Sequence, residues 1–435
     1  MKTTPFVKIA PIILFCFLWT SCQDKIVEKY KASVPVYMSY SDLRSAVKCT
    51  DSVSLEKPGK IYFKDNYIYI NEYFKGVHVI DNTNPAIPKE KKFINTPGNV
   101  DIAIKDNILY ADSYVDLVAI DISNLNDVKE KNRIKDVFQY TIPTQPTTFI
   151  EEYPDATKGV VIGWETKEIT KDVKAEPNPY PIYYDYYRYD LALSSNFTGS
   201  KTSSSGSSQG GATSVGVAGS MARFAILGNA LYVLSTYQIK VVDITDTDLP
   251  VTKNAISNYS GIETIFLNDG YMYLGAQNGM GIYSVSDPFN PQFISSYSHI
   301  TSCDPVVVEG NTAFVTLRSG QTCRNATTNQ LDVINISDKL HPLLLKSYGF
   351  TEPHGLGIEN NILFICDGKD GLKVFNATDV MSITQHAISH FENIQATDVI
   401  PVNGLLFMIG DNGFYQYDYT DIQNIRLLSQ IKVKK

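Results

Sequence analysis

The sequence predicts an all-β fold, a seven-bladed β-propeller of four-stranded antiparallel blades with one long insertion. A pair of strands of alternating polarity, joined by a tight turn of Asp, Asn or Gly, recurs along the chain. The second strand of each pair carries an aromatic residue, at Tyr69, Tyr110, Tyr232, Tyr273, Phe314, Phe364 and Phe407. Their successive separations are 41, 122, 41, 41, 50 and 43 residues, so the period is near 41 and one gap is close to three periods. A period of this length with four short strands is typical of propeller blades.

The first 21 residues predict an export signal. Lys2 and Lys8 precede the apolar stretch 9–19, and small residues follow it before Cys22. The apolar stretch is too short for an ordinary membrane span. The pattern resembles a bacterial lipoprotein signal, which implies cleavage before Cys22 and a lipid on its sulfur, although Trp19 departs from the leucine usual at that place. The alternative is a cleaved secretory signal with an incidental cysteine.

Both alternatives predict that the mature protein is exported. The lipoprotein interpretation predicts a location in the bacterial cell envelope, as an outer-membrane lipoprotein, and leaves open the periplasmic or the surface face. Residues 22–35 are polar and lack periodicity, so they predict a tether between lipid and domain. Residues 36–435 then form a single propeller domain.

A short segment lies between the tether and the first repeat. Residues 36–40 are apolar, Ser41 is a candidate cap for a helical turn, and residues 52–55 alternate in polarity. Either residues 52–56 or residues 425–433 could supply the outer strand of the last blade. The sequence leaves the closure of the ring open between these two.

Six of the third strands end in Asp or Asn, with Ser or Thr two residues later. The phrases at residues 79–85 and 284–291 are similar to those of the LVIVD-repeat family, and the resemblance covers residues 59–432 apart from the insertion. It implies a propeller of the bacterial envelope and no catalytic residue. We interpret the repeated acceptors as turn-formers rather than a metal ladder, at Asp81, Asp121, Asp243, Asn335, Asn376 and Asp418.

The insertion, at about residues 142–219, departs most from the repeat. It holds a tyrosine-rich stretch and then a Ser/Gly-rich stretch at 194–220. Tyrosine offers a large contact area with a polar group, which suits protein or glycan interfaces, so the interface candidates are Tyr183, Tyr184, Tyr186 and Tyr187. The alternative is a β-ribbon in which this stretch pairs with residues 160–169.

Charge and cysteine content exclude some classes of function. The formal net charge is −8, and loss of the first 21 residues makes it more negative, which argues against nucleic-acid binding. The cysteines lack CxxC spacing, so no zinc site is predicted. Cys303 and Cys323 belong to the same predicted face and predict a disulfide, which export permits.

One face of the ring is the candidate ligand face, because the start of each innermost strand and the loop between second and third strands open there. The strand starts carry Lys60, Asp101, Arg223, Glu263, Asp304, His354 and Asp398. The loops add acidic residues that include Asp112, Asp367 and Asp411. These positions predict either an acidic funnel for a cation, a sugar or a basic peptide group, or the polar mouth that any propeller has.

The sequence therefore predicts a lipid-anchored binding or scaffold module for a protein or glycan, which uses its loop face and tyrosine-rich insertion. The alternative is an extracytoplasmic hydrolase or lyase that uses the carboxylates at the channel mouth or His354. Titratable groups converging in one pocket would favour the enzyme, and a scattered polar ring would favour binding. No cofactor, metal site or nucleic-acid partner is predicted.

Overall fold

Seven four-stranded antiparallel blades are arranged in a ring, and each is formed by one contiguous stretch of chain; two further strands extend the sheet of the first blade to six. The structure is a computed structural model, and it describes residues 27–140, 142, 149–172, 216–235, 238–257, 261–299, 305–320 and 328–434. The predicted seven-bladed propeller with one long insertion is therefore confirmed.

The first half of the chain forms an N-terminal pair of strands and blades 1 and 2. Strand β1 (Val27–Met38), helix α1 (Tyr40–Leu43) and strand β2 (Lys48–Asp51) precede the ring. Blade 1 consists of β3 (Pro58–Lys64), β4 (Tyr67–Glu72), β5 (Gly76–Asp81) and β6 (Lys89–Asn95). Blade 2 consists of β7 (Ile102–Lys105), β8 (Ile108–Ser113), β9 (Asp116–Asp121) and β10 (Lys129–Ile134). The insertion contributes a 3-10 helix (Ala156–Lys158), β11 (Val160–Asp172) and β12 (Val217–Ala218).

The second half forms the other five blades. Blade 3 consists of β13 (Phe224–Leu227), β14 (Ala230–Ser235), β15 (Gln238–Asp243) and β16 (Val251–Ser257). Blade 4 consists of β17 (Ile262–Asn268), β18 (Tyr271–Ala276), β19 (Gly279–Ser284) and β20 (Gln292–Ser298). Blade 5 consists of β21 (Val306–Glu309), β22 (Thr312–Leu317), β23 (Gln330–Asn335) and β24 (Leu343–Gly349).

Blades 6 and 7 complete the ring. Blade 6 consists of β25 (Leu356–Glu359), β26 (Ile362–Cys366), β27 (Leu372–Asn376) and β28 (Ala387–Phe391), with a 3-10 helix (Ile383–Gln385) before the last strand. Blade 7 consists of β29 (Ala396–Val402), β30 (Leu405–Gly410), β31 (Gly413–Asp418) and β32 (Arg426–Lys432).

The core lies between neighbouring blades, and the repeated aromatic residues of the second strands form part of it. Each of the seven is at most 5 % exposed. Burial of one such side chain contributes roughly 1.5–3 kcal/mol, so the repeat supplies a similar contribution in every blade. Polar residues in the intervening turns set the ends of the strands.

Each third strand ends in a turn fixed by a short side chain. Asp81 Oδ1 accepts the Thr83 amide at 3.0 Å, and Asp243 Oδ1 accepts the Thr245 amide at 2.9 Å. The same bond recurs with Asp121, Asn335, Asn376 and Asp418 as acceptors. The interpretation of these residues as turn-formers is confirmed, because their oxygens bind the backbone.

Ring closure depends on the last strand and on a short contact with the chain before blade 1. Strand β32 completes blade 7, whereas residues 52–56 form no strand, which resolves the choice left open by the sequence. Leu55 is instead buried between blades 7 and 1, and its carbonyl accepts the Lys434 amide at 2.8 Å. Phe63 of blade 1 and Phe407 of blade 7 pack with ring centroids 4.8 Å apart. Strand β2 adds a further strand outside β6.

The N-terminal ribbon is the antiparallel pair of β1 and β11, which runs from Val27 opposite Asp172 to Met38 opposite Val160, with a shift of register between Val36 and Tyr37. Residues 27–35 of the predicted tether are therefore part of the folded ribbon. Residues 160–169 pair with β1. The tyrosine-rich stretch lies outside the described residues, so its pairing with residues 160–169 stays a prediction. The turn α1 is capped by Ser39 and not by Ser41.

The base of the N-terminal ribbon lies on the loop face over blades 1 and 2. Leu43 and Val160 pack there against Tyr114 and Val115 of the loop between β8 and β9. Tyr140 Oη donates to the Gly159 carbonyl at 2.8 Å and holds the start of β11. Part of the predicted ligand face is thus covered by the protein itself. Within the described residues, no helix has the length and apolar character needed to cross a membrane.

Candidate functional site

The candidate site is the central channel and the loop face around it. Several predicted strand starts meet at one end of the channel, where Lys60 Nζ lies 3.8 Å from Asp101 Oδ2. Asp101 and Asp398 are both buried, at 2 % exposure. The expected convergence of these positions is therefore present for blades 1, 2 and 7.

The channel is occupied by residues 216–223, which we call the axial segment. Its strand β12 pairs antiparallel with β3, with Val217 opposite Phe63 and Ala218 opposite Tyr62. Strand β3 is the innermost strand of blade 1, and β12 adds to the edge that faces away from β4. The insertion thus returns to the ring through the channel before it enters blade 3.

Side chains at the channel mouth bind the axial segment. Ser220 Oγ donates to Asp398 Oδ1 at 3.1 Å and accepts the Leu356 amide at 2.9 Å. Lys60 Nζ donates to the Met221 carbonyl. Blades 1, 6 and 7 therefore hold a segment that leads into blade 3.

Blades 2 and 4 bind the other end of the same segment. Asp101 Oδ2 accepts the amide of Arg223 and, at 3.2 Å, the amide of Phe224. The Ile265 amide of blade 4 donates to the Ala222 carbonyl at 2.9 Å. Lys60 and Asp101, two of the groups predicted to receive a ligand, thus bind the chain's own backbone, and Asp398 binds the Ser220 hydroxyl.

Two carboxyl groups at the channel mouth, those of Asp112 and Asp398, have shifted pKa values. Burial raises the pKa of Asp112 and of Asp398 to about 6, although backbone amides favour their ionised forms. Asp112 Oδ1 accepts the amides of Val100 and Asp101 at 2.7 and 3.0 Å. Burial also lowers the pKa of Lys60. The cluster is therefore a desolvated network of charges rather than an open acidic funnel.

The loops of blades 5 and 6 hold His354, the candidate acid or base. Burial and the nearby Arg318 lower the pKa of His354 to about 3, so its imidazole is neutral at physiological pH. Its Nε2 lies 3.7 Å from Glu352 Oε1, which is too long for a hydrogen bond. Asp367 accepts the Glu352 amide at 2.7 Å and pairs with Lys373 at 2.7 Å. This geometry stabilises the loop and does not form a base oriented by an acid.

The other predicted site residues are dispersed. Glu263 is buried in blade 4 and accepts a hydrogen bond from Gln277 at 3.2 Å, whereas Asp411 is exposed in a tight turn of blade 7. In the part of the chain that the structure describes, no three metal-ligating side chains are grouped for an ion. The predictions at Asp304, at Tyr183, Tyr184, Tyr186 and Tyr187, at lipidated Cys22, and of a disulfide between Cys303 and Cys323 fall outside the described residues.

A cleft of about 480 Å³ lies away from the channel, between the turn after α1 and the outer strand of blade 2. Arg44 Nε and Arg133 Nη1 line it and pair with the fully buried Asp116 at 3.0 and 3.3 Å. Arg133 also binds Glu130 at 2.6 Å. These cations are already neutralised, so the cleft is a junction between the N-terminal turn and blade 2.

The sequence did not predict the roles of two buried polar residues, Ser220 in the channel and His78 in blade 1. Ser220 lies in a Ser/Gly-rich stretch, and nothing in the composition of that stretch indicates that this serine is buried and hydrogen-bonded. His78 Nε2 lies 3.0 Å from Glu72 Oε2, and both side chains are buried. The available sequence signal was that His78 has no counterpart in the other repeats.

Comparison with known proteins supports the fold. The LVIVD-repeat model matches residues 59–96, 98–136, 263–299 and 325–349, which fall in blades 1, 2, 4 and 5. No curated protein matches the sequence. A solved protein from Lactobacillus plantarum is similar with a TM-score of 0.51 and 11 % identity, over 86 % of this chain and 97 % of that chain. Saccharomyces cerevisiae Sqt1 is similar with a TM-score of 0.50 and 8 % identity, over 92 % and 89 %.

Proposed function

We propose that this chain, a seven-bladed propeller with four LVIVD repeats, is a lipid-anchored binding or scaffold module of the bacterial cell envelope. Its partner is a protein or a glycan, bound through the loop face and the tyrosine-rich insertion. The observation that carries the proposal is the occupied channel, because Lys60, Asp101 and Asp398 bind the axial segment. The binding surface then lies on the loops around the channel.

The N-terminal ribbon supports an arrangement in which the insertion begins close to the anchor. Val27 pairs with Asp172 at the end of the ribbon. A lipid on Cys22 would precede Val27 by only a few residues, and the tyrosine-rich stretch follows Asp172. In sequence, the anchor and the candidate interface therefore each lie a few residues from the same end of the ribbon.

The geometry of the titratable groups supports binding over the alternative of a hydrolase or lyase. His354 has no carboxylate within hydrogen-bond distance among the described residues, and its lowered pKa makes it a poor base near neutral pH. Asp101 Oδ2 accepts the Arg223 amide of the axial segment, and Asp398 Oδ1 accepts the Ser220 hydroxyl of the same segment. Propellers host both enzymes and binding modules, so the fold does not distinguish the two alternatives, whereas the contacts of these side chains favour binding.

Substituting Tyr183, Tyr184, Tyr186 and Tyr187 by serine is expected to reduce capture of the partner by about tenfold or more, because the aromatic contact area is lost. The full-length protein is purified from its own membranes with and without these changes, and the co-purifying material is quantified. Tyr153→Ser is the matched control, since Tyr153 is an exposed tyrosine outside the stretch.

Two further experiments test the chemical class of the partner and the lipid anchor at Cys22. Protease treatment of the membranes before capture removes a protein partner, and periodate oxidation removes a glycan partner. Cys22→Ser is expected to release the protein from the membrane fraction into the soluble fraction. An unchanged partner set in the tyrosine variant would contradict the interface, and an unchanged membrane fraction in Cys22→Ser would contradict the anchor.

A further inference from the structure

We propose that the central channel is a peptide-binding site and that the axial segment is its built-in occupant, which a separate peptide of the same sequence can replace. The ligand class is an extended, uncharged peptide with the pattern Gly-x-x-Gly-Ser, as at residues 216–220. This site lies inside the ring and is distinct from the loop face of the proposed function.

The channel binds the main chain of the axial segment in the way that a sheet edge binds an added strand. Strand β12 extends blade 1 through its pairing with β3. Lys60 donates to the Met221 carbonyl, and the Ile265 amide donates to the Ala222 carbonyl at 2.9 Å. These contacts recognise peptide groups and would form with any chain that can adopt the same path.

A hydroxyl pocket adds sequence selectivity at one position. Ser220 Oγ is placed between the Asp398 carboxylate, at 3.1 Å, and the Leu356 amide, at 2.9 Å. Both Ser220 and Asp398 are buried, at 3 % and 2 % exposure. A residue without a hydroxyl group would leave a buried carboxylate and a buried amide without this partner.

Close approach selects glycine at two further positions. A Cβ atom on Gly219 would lie 2.0 Å from Asp398 Oδ2, and Asp398 is itself held by Ser220 and by the Val399 amide. A Cβ atom on Gly216 would lie 2.2 Å from the Tyr62 ring and 2.7 Å from the Phe63 carbonyl oxygen. The channel therefore selects a peptide with glycine at positions 216 and 219 and serine at position 220.

The axial segment is not one of the four strands of any blade, although it binds several of them. Blade 3, which the segment precedes, has its four strands β13 to β16 without it. The segment is held by blades 1, 2, 4, 6 and 7, and its last residue, Arg223, also accepts the Leu234 amide of blade 3 at 3.0 Å. Val217 remains 42 % exposed within the segment. Release of the segment thus leaves every blade with four strands and opens a peptide-shaped channel.

The test uses the full-length protein with Gly219→Val, which is expected to displace the axial segment by collision with Asp398. The probe is a fluorescein-labelled synthetic peptide with the sequence of residues 215–222, and binding is followed by fluorescence anisotropy. We expect saturable one-to-one binding to this variant, and binding at least about tenfold weaker to the unsubstituted protein, whose channel is occupied. Gly349→Val is the control, since no atom lies within 4 Å of a Cβ there.

Peptide variants test whether the same contacts are made. Changing Ser220→Val or Gly219→Ala within the peptide is expected to weaken binding by about tenfold or more. Equal binding of these peptides, or no saturable binding to a folded Gly219→Val protein, would overturn the proposal. If circular dichroism shows that this protein is unfolded, the titration is repeated with Ser220→Val in the full-length chain. If neither the Gly219→Val protein nor the Ser220→Val protein folds, the axial segment is an essential part of the core, and the proposal is likewise overturned.

Discussion

Replacing Glu72 by alanine is expected to lower the free energy of unfolding by about 3–5 kcal/mol, because it removes one member of a buried pair and leaves the buried His78 without its partner. Glu72 Oε2 lies 3.0 Å from His78 Nε2, and both side chains are at most 3 % exposed. The same carboxylate accepts the amides of Glu56 and Lys57. The substitution therefore also releases the chain next to Leu55, which packs between blades 7 and 1.

The electrostatics of Glu72 agree with this role. Burial opposes its ionisation, but hydrogen bonds from His78 and from the two backbone amides outweigh burial and hold the pKa of Glu72 below its usual value. A lowered pKa means that the stabilisation is present above the unfolded pKa and is lost as the pH falls through the folded pKa. The contribution of Glu72 therefore decreases in acid.

Urea unfolding followed by circular dichroism measures the effect of Glu72→Ala. Glu56→Ala is the matched control, because Glu56 is half exposed and pairs with Lys75 at the surface. That control is expected to cost at most about 1 kcal/mol. Equal midpoints for the two variants would show that the buried pair does not hold the junction of blades 7 and 1.

The double substitution Asp112→Asn with Asp398→Asn is expected to stabilise the protein increasingly as the pH rises from about 4 to about 7. The folded pKa of each carboxyl group is about 6, above the ordinary value of 3.8. Between these two values the folded state binds more protons than the unfolded state, so each group's contribution falls with rising pH. Two pKa units correspond to about 3 kcal/mol per group, and an amide has no such dependence.

The comparison is made between variant and unsubstituted protein at each pH, because His354 acts in the opposite direction. Its pKa is lowered to about 3, so its contribution rises as the pH increases towards 6.5. Subtracting the two unfolding free energies cancels this term. Asp411→Asn is the control, since Asp411 is exposed. A difference that stays constant with pH would contradict the raised pKa values.

The repeated part of the fold could be predicted from the sequence because its causes are local. Tyr110 and Phe407 recur at the period of the blades, and Asp81 and Asp243 bind amides two residues away. Such contacts leave a pattern in every copy. The number of blades and the role of the Asp-Ser/Thr turns followed from that pattern.

The site could not be predicted in the same way, because its contacts join distant parts of the chain. Ser220 and Asp398 are 178 residues apart, and the strand start at Asp398 looks the same whether it faces water or the axial segment. The pairing of Val27 with Asp172 likewise has no local signature. The strand starts at Lys60, Asp101 and Asp398 converge at the channel as expected, but what they bind was determined by one unrepeated segment.

Hydrogen–deuterium exchange of the unsubstituted protein tests most directly whether the axial segment fills the channel. The amides of Gly216 and Arg223 donate to Ile104 and Asp101 inside the ring. We predict that they exchange at least about a thousandfold more slowly than an exposed loop residue such as Ser54. Exchange at the rate of Ser54 would mean that the segment does not occupy the channel, and would contradict the account.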